Sequence, residues 1–322
     1  MRVAVLHGAV PPEAPPDEQD VLVEVAAVSQ ALAALGHEPV AVPLTLDLDA
    51  GARALRGLAP AVVFNLVESL EGTGRLNHLA PALLDHLGLA YTGAPTDALY
   101  LTSQKILTKR WLASAGVATP AWASAASAAD LPGPCIVKSV WEEASVGIDD
   151  ASVVRDPAGA AAELGRRARA FGGEWFAEAF VEGREFNISV LAGEGGVDVL
   201  PPAEIDFTDF PEGKPRIVGY RAKWDDASFE FHHTPRRFDL PASDRPLLEH
   251  LAEVSRRCWE TFGLRGYARV DFRVDRAGEP WVLEINANPC LSPDSGFVAA
   301  AAAAGLGYGE LVARILAGAA HG

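Results

Sequence analysis

Cysteine is scarce in this 322-residue chain: Cys135, Cys258 and Cys290 are the only three, they lie far apart, and no CxxC pair occurs. That excludes a disulfide-stapled scaffold and a zinc knuckle, and it fits a reducing compartment. Basic residues are also few, 27 Lys and Arg against 43 Asp and Glu, a net charge of −16. Such a surface repels phosphate backbones and anionic lipid, so neither nucleic acid nor a membrane is expected as a partner. No uncharged apolar run reaches the ~18 residues of a span, and Phe297–Ala304 is too short. The start, MRVAVLHGAVPPE, has no basic region leading into an apolar stretch. A soluble cytoplasmic protein is expected. Neither GxxxxGK[ST] nor GxGxxG is present, which removes the P-loop and the dinucleotide fingerprint. A phosphate ligand would need a local basic site, a metal or backbone amides. What is present, 49% apolar and 22% charged residues, is globular composition with ample material for a core.

Strands and helices alternate at first. Arg2–His7 (RVAVLH) reads as a buried strand ended by Gly8. After a loop with Pro11, Pro12, Pro15 and Pro16, Asp20–Leu35 has helical periodicity and stops at Gly36. Val40–Pro43 and Ala61–Asn65 read as strands, and Leu76–Leu87 as a helix stopped by Gly88. These are βαβ units, which build a largely parallel sheet. Thr96–Ala115 reads as one further helix. The pattern then becomes α+β, with strands at Pro134–Val140, Trp175–Phe180, Glu185–Leu191 and Ala203–Phe207 and helices at Pro157–Ala170 and Leu247–Phe262. Residues 208–235 are long, polar and irregular, which suggests a functional lid or a disordered insert.

The chemistry concentrates in Tyr267–Ile285 (YARVDFRVDRAGEPWVLEI), two period-2 strands around a Gly-containing turn. Pairing Asp275 with Pro280 puts Asp271 opposite Glu284 and Arg269 opposite Asn286, all on one face, with Trp281, Leu283 and Ile285 on the other. Facing carboxylates repel unless a cation lies between them. Mg²⁺ fits, as a hard ion held by carboxylates and substrate phosphates, and Asn286 supplies another oxygen. Arg269 suits a phosphate or a developing oxyanion. The plainer alternative is a solvated face with a chance acid pair. Lys105 in SQKILTK and Lys138 at the end of CIVK are, each alone, ordinary surface lysines. Glu178 in WFAEAF and Glu185 beyond the turn read as exposed acids, or as a clamp in which strand backbone and Glu178 meet an adenine edge and Glu185 takes ribose hydroxyls.

The order of these pieces resembles the ATP-grasp superfamily, and within it the D-alanine–D-alanine ligases. A lysine-bearing helix precedes strand–Lys138–loop–Gly147, then come Glu178 and Glu185, a long loop with Lys223, and Arg269-x-Asp271…Glu284-Ile285-Asn286-x-x-Pro289. The segment VVFNL…EGTGRLNHLAPALLDHLGLAYTG extends the likeness over nearly the whole chain. The resemblance implies an ATP-grasp fold of α/β and α+β parts: an N-terminal pre-ATP-grasp domain (1–95), a central subdomain (96–182) and a C-terminal subdomain (183–322) with a lid at 208–235. It implies ATP-dependent joining of a carboxylate to an amine through an acyl-phosphate, both small molecules and amino acids by type. Lys105, Lys138 and the Ser145–Gly147 loop would hold ATP phosphates. Glu178, Phe180, Val181 and Glu185 would hold adenine and ribose. Lys223 would close over the phosphates, Asp271, Glu284 and Asn286 would bind two Mg²⁺ (Mn²⁺ can substitute), Arg269 would stabilise the reacting centre, and Ser295 would receive the acceptor's carboxylate. A homodimer is an admissible assembly; the sequence does not fix it.

The first-substrate positions depart from that family. Its Gly-Gly-x-Ser-x-Glu signature is replaced by HGAVPPEAPPDEQD, leaving Glu13 or Glu24 as candidates for holding the first substrate's amine. Where the family has Glu-Gly-Ser-Ser, this chain has Glu142-Glu143-Ala144-Ser145, so Ala144 replaces a serine; Trp224 replaces the lid tyrosine, Asn65 stands for a histidine and Cys290 for a glycine. A hydroxyl network cannot be rebuilt from Ala144 and Trp224 in the same way. The pocket is therefore expected to be reshaped and more apolar, holding a carboxylate other than D-alanine. The alternatives are a genuine D-alanine–D-alanine ligase of cell-wall synthesis and a nucleotide-binding regulatory protein without chemistry. The intact Arg269, Asp271, Glu284 and Asn286 set speaks against the last.

Overall fold

The structure, a computed structural model, describes residues 1–193 and 195–321. Its first layer is built on β1 (Arg2–Gly8), buried on both faces from Val3 to Leu6. A strand covered on both sides needs no polar alternation, which is why this run is continuously apolar. α1 (Pro16–Ala34) packs on the Val3/Val5 face. β2 (Glu38–Leu44) and β3 (Val62–Asn65) flank β1 in parallel, and α2 (Leu48–Leu58) and α3 (Leu79–Leu87) cover the Ala4/Leu6 face. α1 starts at Pro16, ahead of its apolar periodicity, because proline suits the first helical position and Asp17 and Glu18 sit at the positive end of the helix dipole. α2 is a further helix not anticipated above, although Leu48, Ala52, Leu55 and Leu58 recur at helical spacing. A Cβ on Gly51 would come within 2.6 Å of Leu44 Cδ1, so the glycine permits close packing on β2.

The single helix expected over Thr96–Ala115 is two, α4 (Thr96–Ser103) and α5 (Lys105–Ser114). Gln104 between them is extended (φ −90°, ψ 92°), and its side chain caps α5 by accepting from Leu107 N at 2.6 Å. The Lys105 N–H leaves the helical ladder and donates to Val140 O at 3.0 Å. The break thus locks the start of α5 to the next layer. That layer is an antiparallel sheet of β4 (Trp122–Ala123), β5 (Cys135–Ser139), β6 (Val153–Val154) and β7 (Trp175–Ala179), in the order β4-β7-β5-β6, backed by α6 (Ala160–Phe171).

The third layer holds β8 (Gly183–Gly193), β9 (Gly196–Val199), β10 (Ala203–Ile205), α7 (Tyr220–Trp224), α8 (Phe229–His232), β11 (Arg236–Arg237), α9 (Arg245–Thr261), β12 (Tyr267–Asp275) and β13 (Pro280–Asn286). The strands run in the order β11-β10-β8-β12-β13, with β9 paired to β8. Phe186, Ile188, Val270, Phe272, Val282 and Ile285 form a core with α9 and with α4 and α5, while Glu185, Asn187, Arg269, Asp271 and Arg273 face a cleft. Residues 208–235 are not structureless: they contain α7 and α8, and Phe207 and Phe210 anchor their start in a small core with Ile205. Finally α10 (Gly296–Ala303) and α11 (Tyr308–Ala317) return to pack on α1 and β1. Among the described residues no single helix is long and apolar enough to cross a membrane.

Gly183 opens β8 opposite Asp275 at φ +157°, where a Cβ would lie 1.9 Å from Val274 O. Backbone cannot yield that distance, so Gly183→Ala is expected to destabilise the protein by more than the ~1 kcal/mol of an ordinary substitution and to lower its thermal midpoint accordingly. Gly57→Ala, with nothing within 4 Å of its Cβ, is the control and should be neutral or stabilising. Thermal denaturation of both variants checks this.

Candidate active site

Asp271 faces Glu284 and Arg269 faces Asn286, as the alternation predicts, but the route differs. At the turn end Val274, not Asp275, pairs with Pro280, and the ladder shifts by one residue between Asp271 and Phe272. Leu283 is the extra residue, a β-bulge. The bulge turns two consecutive side chains, Leu283 and Glu284, into the cleft and sends Val282 and Ile285 into the core. The expectation that Leu283 shares the face of Ile285 is thereby corrected. Arg269 forks onto Asp271 through two 2.8 Å bonds, and Asn286 Nδ2 donates to Asp271 Oδ2 at 3.2 Å. Lys105 Nζ lies 3.8 Å from Glu284. Burial alone would push the Glu284 carboxyl up, but Lys105, Lys138, Lys223 and Arg269 outweigh it and lower it to about 2. Two carboxylates and a carboxamide oxygen form an all-oxygen donor set that fits Mg²⁺, with the Asn286 amide turned to present its oxygen.

The cleft beside this hairpin has a volume of about 510 Å³. Lys138 at the end of β5 donates to Glu178 Oε1 on β7 at 2.8 Å. The other Glu178 oxygen pairs with Lys109, which is fully buried and also donates to Thr119 Oγ1 at 2.9 Å. Burial favours the neutral acid, yet the two lysines hold Glu178 below the usual carboxylate range. Lys109 was not singled out by the sequence reading. Its signal was the i,i+4 spacing from Lys105 in KILTK, which puts both on one helix face. Glu185 pairs with Arg273 Nη2 at 2.7 Å, and the Arg273 guanidinium stands 5.7 Å from the Phe180 ring. Phe180 and Val181 line the cleft with them, and the Phe180 N–H is committed to Pro134 O at 2.8 Å.

Lys223 and Trp224 come from α7, over the same cleft. The indole N–H of Trp224 donates to Ala144 O at 3.0 Å, so a backbone carbonyl takes the bond that Ala144 has no hydroxyl to make. Ser145 Oγ donates to Val218 O at 2.8 Å, and Tyr220 Oη donates to Asp17 Oδ1 at 2.7 Å. The 208–235 segment is thus tied to the loop after β5 and to α1. Ala144 and Ser145 hold left-handed backbone at φ 54° and 61°. Ser295 caps α10 and lines the cleft, as does Cys290, whose thiol lies 3.1 Å from Asp20 Oδ2.

Four expected site residues, Glu13, Glu24, Asn65 and Gly147, lie outside the cleft lining. Glu13 is exposed on the proline-rich loop. Asn65 is buried at the end of β3, where Oδ1 accepts from Val67 N at 3.3 Å to shape the turn. Gly147 supports the loop from behind: its carbonyl accepts from Arg167, and a Cβ would come 2.5 Å from Trp175. Of the two N-terminal acids considered, Glu24 is the one near the site, 1% exposed and accepting from Leu291 N at 2.6 Å.

The end of the cleft beside Ala144 and Trp224, where the first substrate is expected, carries a group of acids alongside its apolar lining. Asp17 and Asp20 from α1, Glu68 after β3, and Glu142 and Glu143 line it. Glu68 and Glu143 enter no ion pair among the described residues. Burial and neighbouring acids raise Glu68 to about 8, and burial raises Glu143 to about 7. Glu68 was legible only as the acid of VES, with no periodicity to give its direction.

This architecture is that of the ATP-grasp enzymes. The family model described as the D-ala D-ala ligase C-terminus matches residues 114–317. The D-alanine–D-alanine ligase of Gluconobacter oxydans is 32% identical over 319 residues, 97% of this chain and 96% of that protein. A protein of Sinorhizobium fredii described as uncharacterized protein y4sG is 32% identical over 259 residues, covering 79% of this chain and 73% of that one. Among solved structures, the Bacillus anthracis D-alanine–D-alanine ligase complexed with ATP superposes with a TM-score of 0.75 at 23% identity, over 99% of this chain and 97% of that one. The chain belongs to the D-alanine–D-alanine ligase family.

The raised acids carry a sign. Their unfolded forms ionise near pH 4.5 and their folded forms only near 7 and 8, so the folded state loses stability as pH rises through that interval. Glu68→Gln is therefore expected to raise the thermal midpoint of the ligand-free protein at pH 8 and to leave it nearly unchanged at pH 4. Denaturation scans at the two pH values measure this; an equal shift at both would contradict it.

Proposed function

We propose that this chain is an ADP-forming carboxylate–amine ligase whose first substrate differs from D-alanine, with residues 1–95, 96–182 and 183–322 as the three working parts. The observation that carries the reading is the convergence of Lys105, Lys138, Lys223 and Arg269, from four different elements, on the Asp271/Glu284 face at one end of the cleft. Phosphoryl transfer needs positioning and charge compensation more than a nucleophilic side chain, and that inventory is what these residues offer.

In this reading the nucleotide lies along β7 and the segment after it. The Phe180 carbonyl and Val181 N–H meet the adenine edge, Glu178 takes its amino group, and Glu185 takes the ribose. Lys105, Lys138 and Ser145 hold the phosphates. Asp271, Glu284 and Asn286 would hold two Mg²⁺, which would draw charge from the phosphate oxygens. The substrate carboxylate attacks the γ-phosphorus, giving an acyl-phosphate and ADP. The acceptor amine, its own carboxylate received at Ser295, then displaces phosphate and leaves an amide. Arg269 balances the charge of the acyl-phosphate and of the tetrahedral oxyanion. Lys223 and Trp224 on the 208–235 lid exclude water from the acyl-phosphate.

Glu284→Gln is expected to lower ADP release at least 100-fold and to lower the thermal midpoint of the ligand-free protein at neutral pH, because it removes an ion ligand and also the charge that compensates four cations. Steady-state ADP release together with a melting curve checks this, and near-normal turnover would remove the hairpin from the mechanism. ADP release with D-alanine compared against D- and L-amino acids decides the substrate. The highest kcat/KM with D-alanine alone would make the chain a D-alanine–D-alanine ligase in activity.

A further inference from the structure

The cleft is electrically divided. Its cations stand at the hairpin end, while the opposite end opens into a side pocket of about 60 Å³ lined by Asp17, Glu18, Glu68, Glu142 and Glu143 and by no Lys, Arg or His. Asp17, Glu68, Glu142 and Glu143 line both spaces, so the side pocket is continuous with the cleft. Two of these acids are satisfied from within. Asp17 accepts from Tyr220 Oη, and Glu142 accepts from Thr73 Oγ1 at 2.9 Å and Gly74 N at 3.1 Å. Glu68 and Glu143 have no such partner among the described residues.

An independent observation lies one layer deeper. Glu24 is 1% exposed, and only one of its oxygens is used, by Leu291 N. Among the described residues its Oε2 has no partner, and a Glu24 oxygen, a Glu68 oxygen and Cys290 Sγ all lie within 4.8 Å of one another. An ammonium or guanidinium donating to two oxygens at ~2.9 Å each spans a gap of that size. Lys105, Lys223 and Arg269 offset Glu143 and Glu68 only in part, and none of them acts on Glu24, so a bound cation would remove a remaining cost. One α-ammonium has three N–H donors and uses one carboxylate well. Glu68, Glu143 and the free Glu24 oxygen together exceed that need.

We propose, building on the ligase reading above, that the carboxylate substrate is an amino acid with a cationic side chain, whose ammonium or guanidinium sits among Glu68, Glu143 and the free oxygen of Glu24. Its carboxylate then points to the Lys223 and Arg269 end, where the acyl-phosphate forms. The charge division of the cleft orients the molecule before any reaction.

The test compares isosteres that differ in charge: arginine with citrulline and lysine with norleucine, as both enantiomers, with the full-length enzyme, ATP and Mg²⁺. ADP release is expected to show kcat/KM at least 10-fold higher for the cationic member of each pair. Glu143→Gln and Glu68→Gln should each shrink that ratio at least 5-fold, mainly through KM. A thermal-shift arm, with ADP, Mg²⁺ and arginine or citrulline, reads binding without turnover; arginine should stabilise the protein more than citrulline, and Glu68→Gln should erase the difference. Equal kcat/KM within both pairs, or D-alanine as the best donor, overturns the inference and leaves the ligase reading standing. If no amino acid drives ADP release, the ligase reading falls, and an absent arginine-over-citrulline shift overturns this inference too. One equivalent of zinc or manganese retained through gel filtration and lost in Glu24→Gln would also overturn it, since the acids would then hold a metal.

Discussion

Glu284 is a half-buried carboxylate in the wall of the cleft, held ionised by four cations that reach it from separate parts of the chain. Lys105 stands at the first turn of α5, Lys138 at the end of β5, Lys223 on α7 and Arg269 on β12. Much of the architecture reads as a condition for this meeting. The break at Gln104 fixes where α5 begins and therefore where Lys105 points. The bulge at Leu283 sets Glu284 into the cleft beside it. The Trp224 and Ser145 bonds hold α7 near enough for Lys223 to count. Removing one cation leaves an attraction weakened but shared, whereas removing the carboxylate leaves four like charges converging on a space that something anionic has to fill.

A second carboxylate repeats that logic in a smaller form. Glu178 is 1% exposed and takes Lys109 and Lys138 on its two oxygens. Two lysines on one carboxylate leave a net positive charge beside the proposed nucleotide position. Lys138 belongs to both clusters, since Glu178 and Glu284 together hold its charge against burial. The nucleotide end and the metal end are therefore coupled electrostatically through one side chain, and a change at Glu178 reaches Glu284 without any backbone movement.

The legible part of this protein was whatever repeats with a fixed period. Val270, Phe272 and Val274 against Arg269, Asp271 and Arg273 assigned one face of β12 correctly, because an uninterrupted strand keeps its alternation. β13 does not keep it, and the pairing of Asp271 with Glu284 was reached from a wrong partner for Pro280, corrected by a bulge that sequence spacing does not reveal. The α4–α5 break was hidden because Gln104 is an ordinary helix former whose side chain here replaces a lost backbone bond. The acid-lined end was hidden for another reason: Asp20, Glu68 and Glu143 are distant in sequence, and only the return of α1 and two loops to one wall brings them together.

Net charge and local field then separate cleanly. A chain of net charge −16 repels polyanions at a distance, yet a cleft with Lys105, Lys138, Lys223 and Arg269 at one end attracts a small anion at short range, because salt screens the far field within about 10 Å. The opposite end, with Asp17 and Glu68, attracts a small cation for the same reason. A zwitterion with separated charges satisfies both ends at once, and a simple anion or cation satisfies only one. The Tyr220–Asp17 bond places the lid's own tie on the acidic wall. In the proposed reading a ligand drawn to that wall would meet the bond that ties α7 to α1, so recognition at the acidic end and exclusion of water at the phosphate end would act through one short piece of chain.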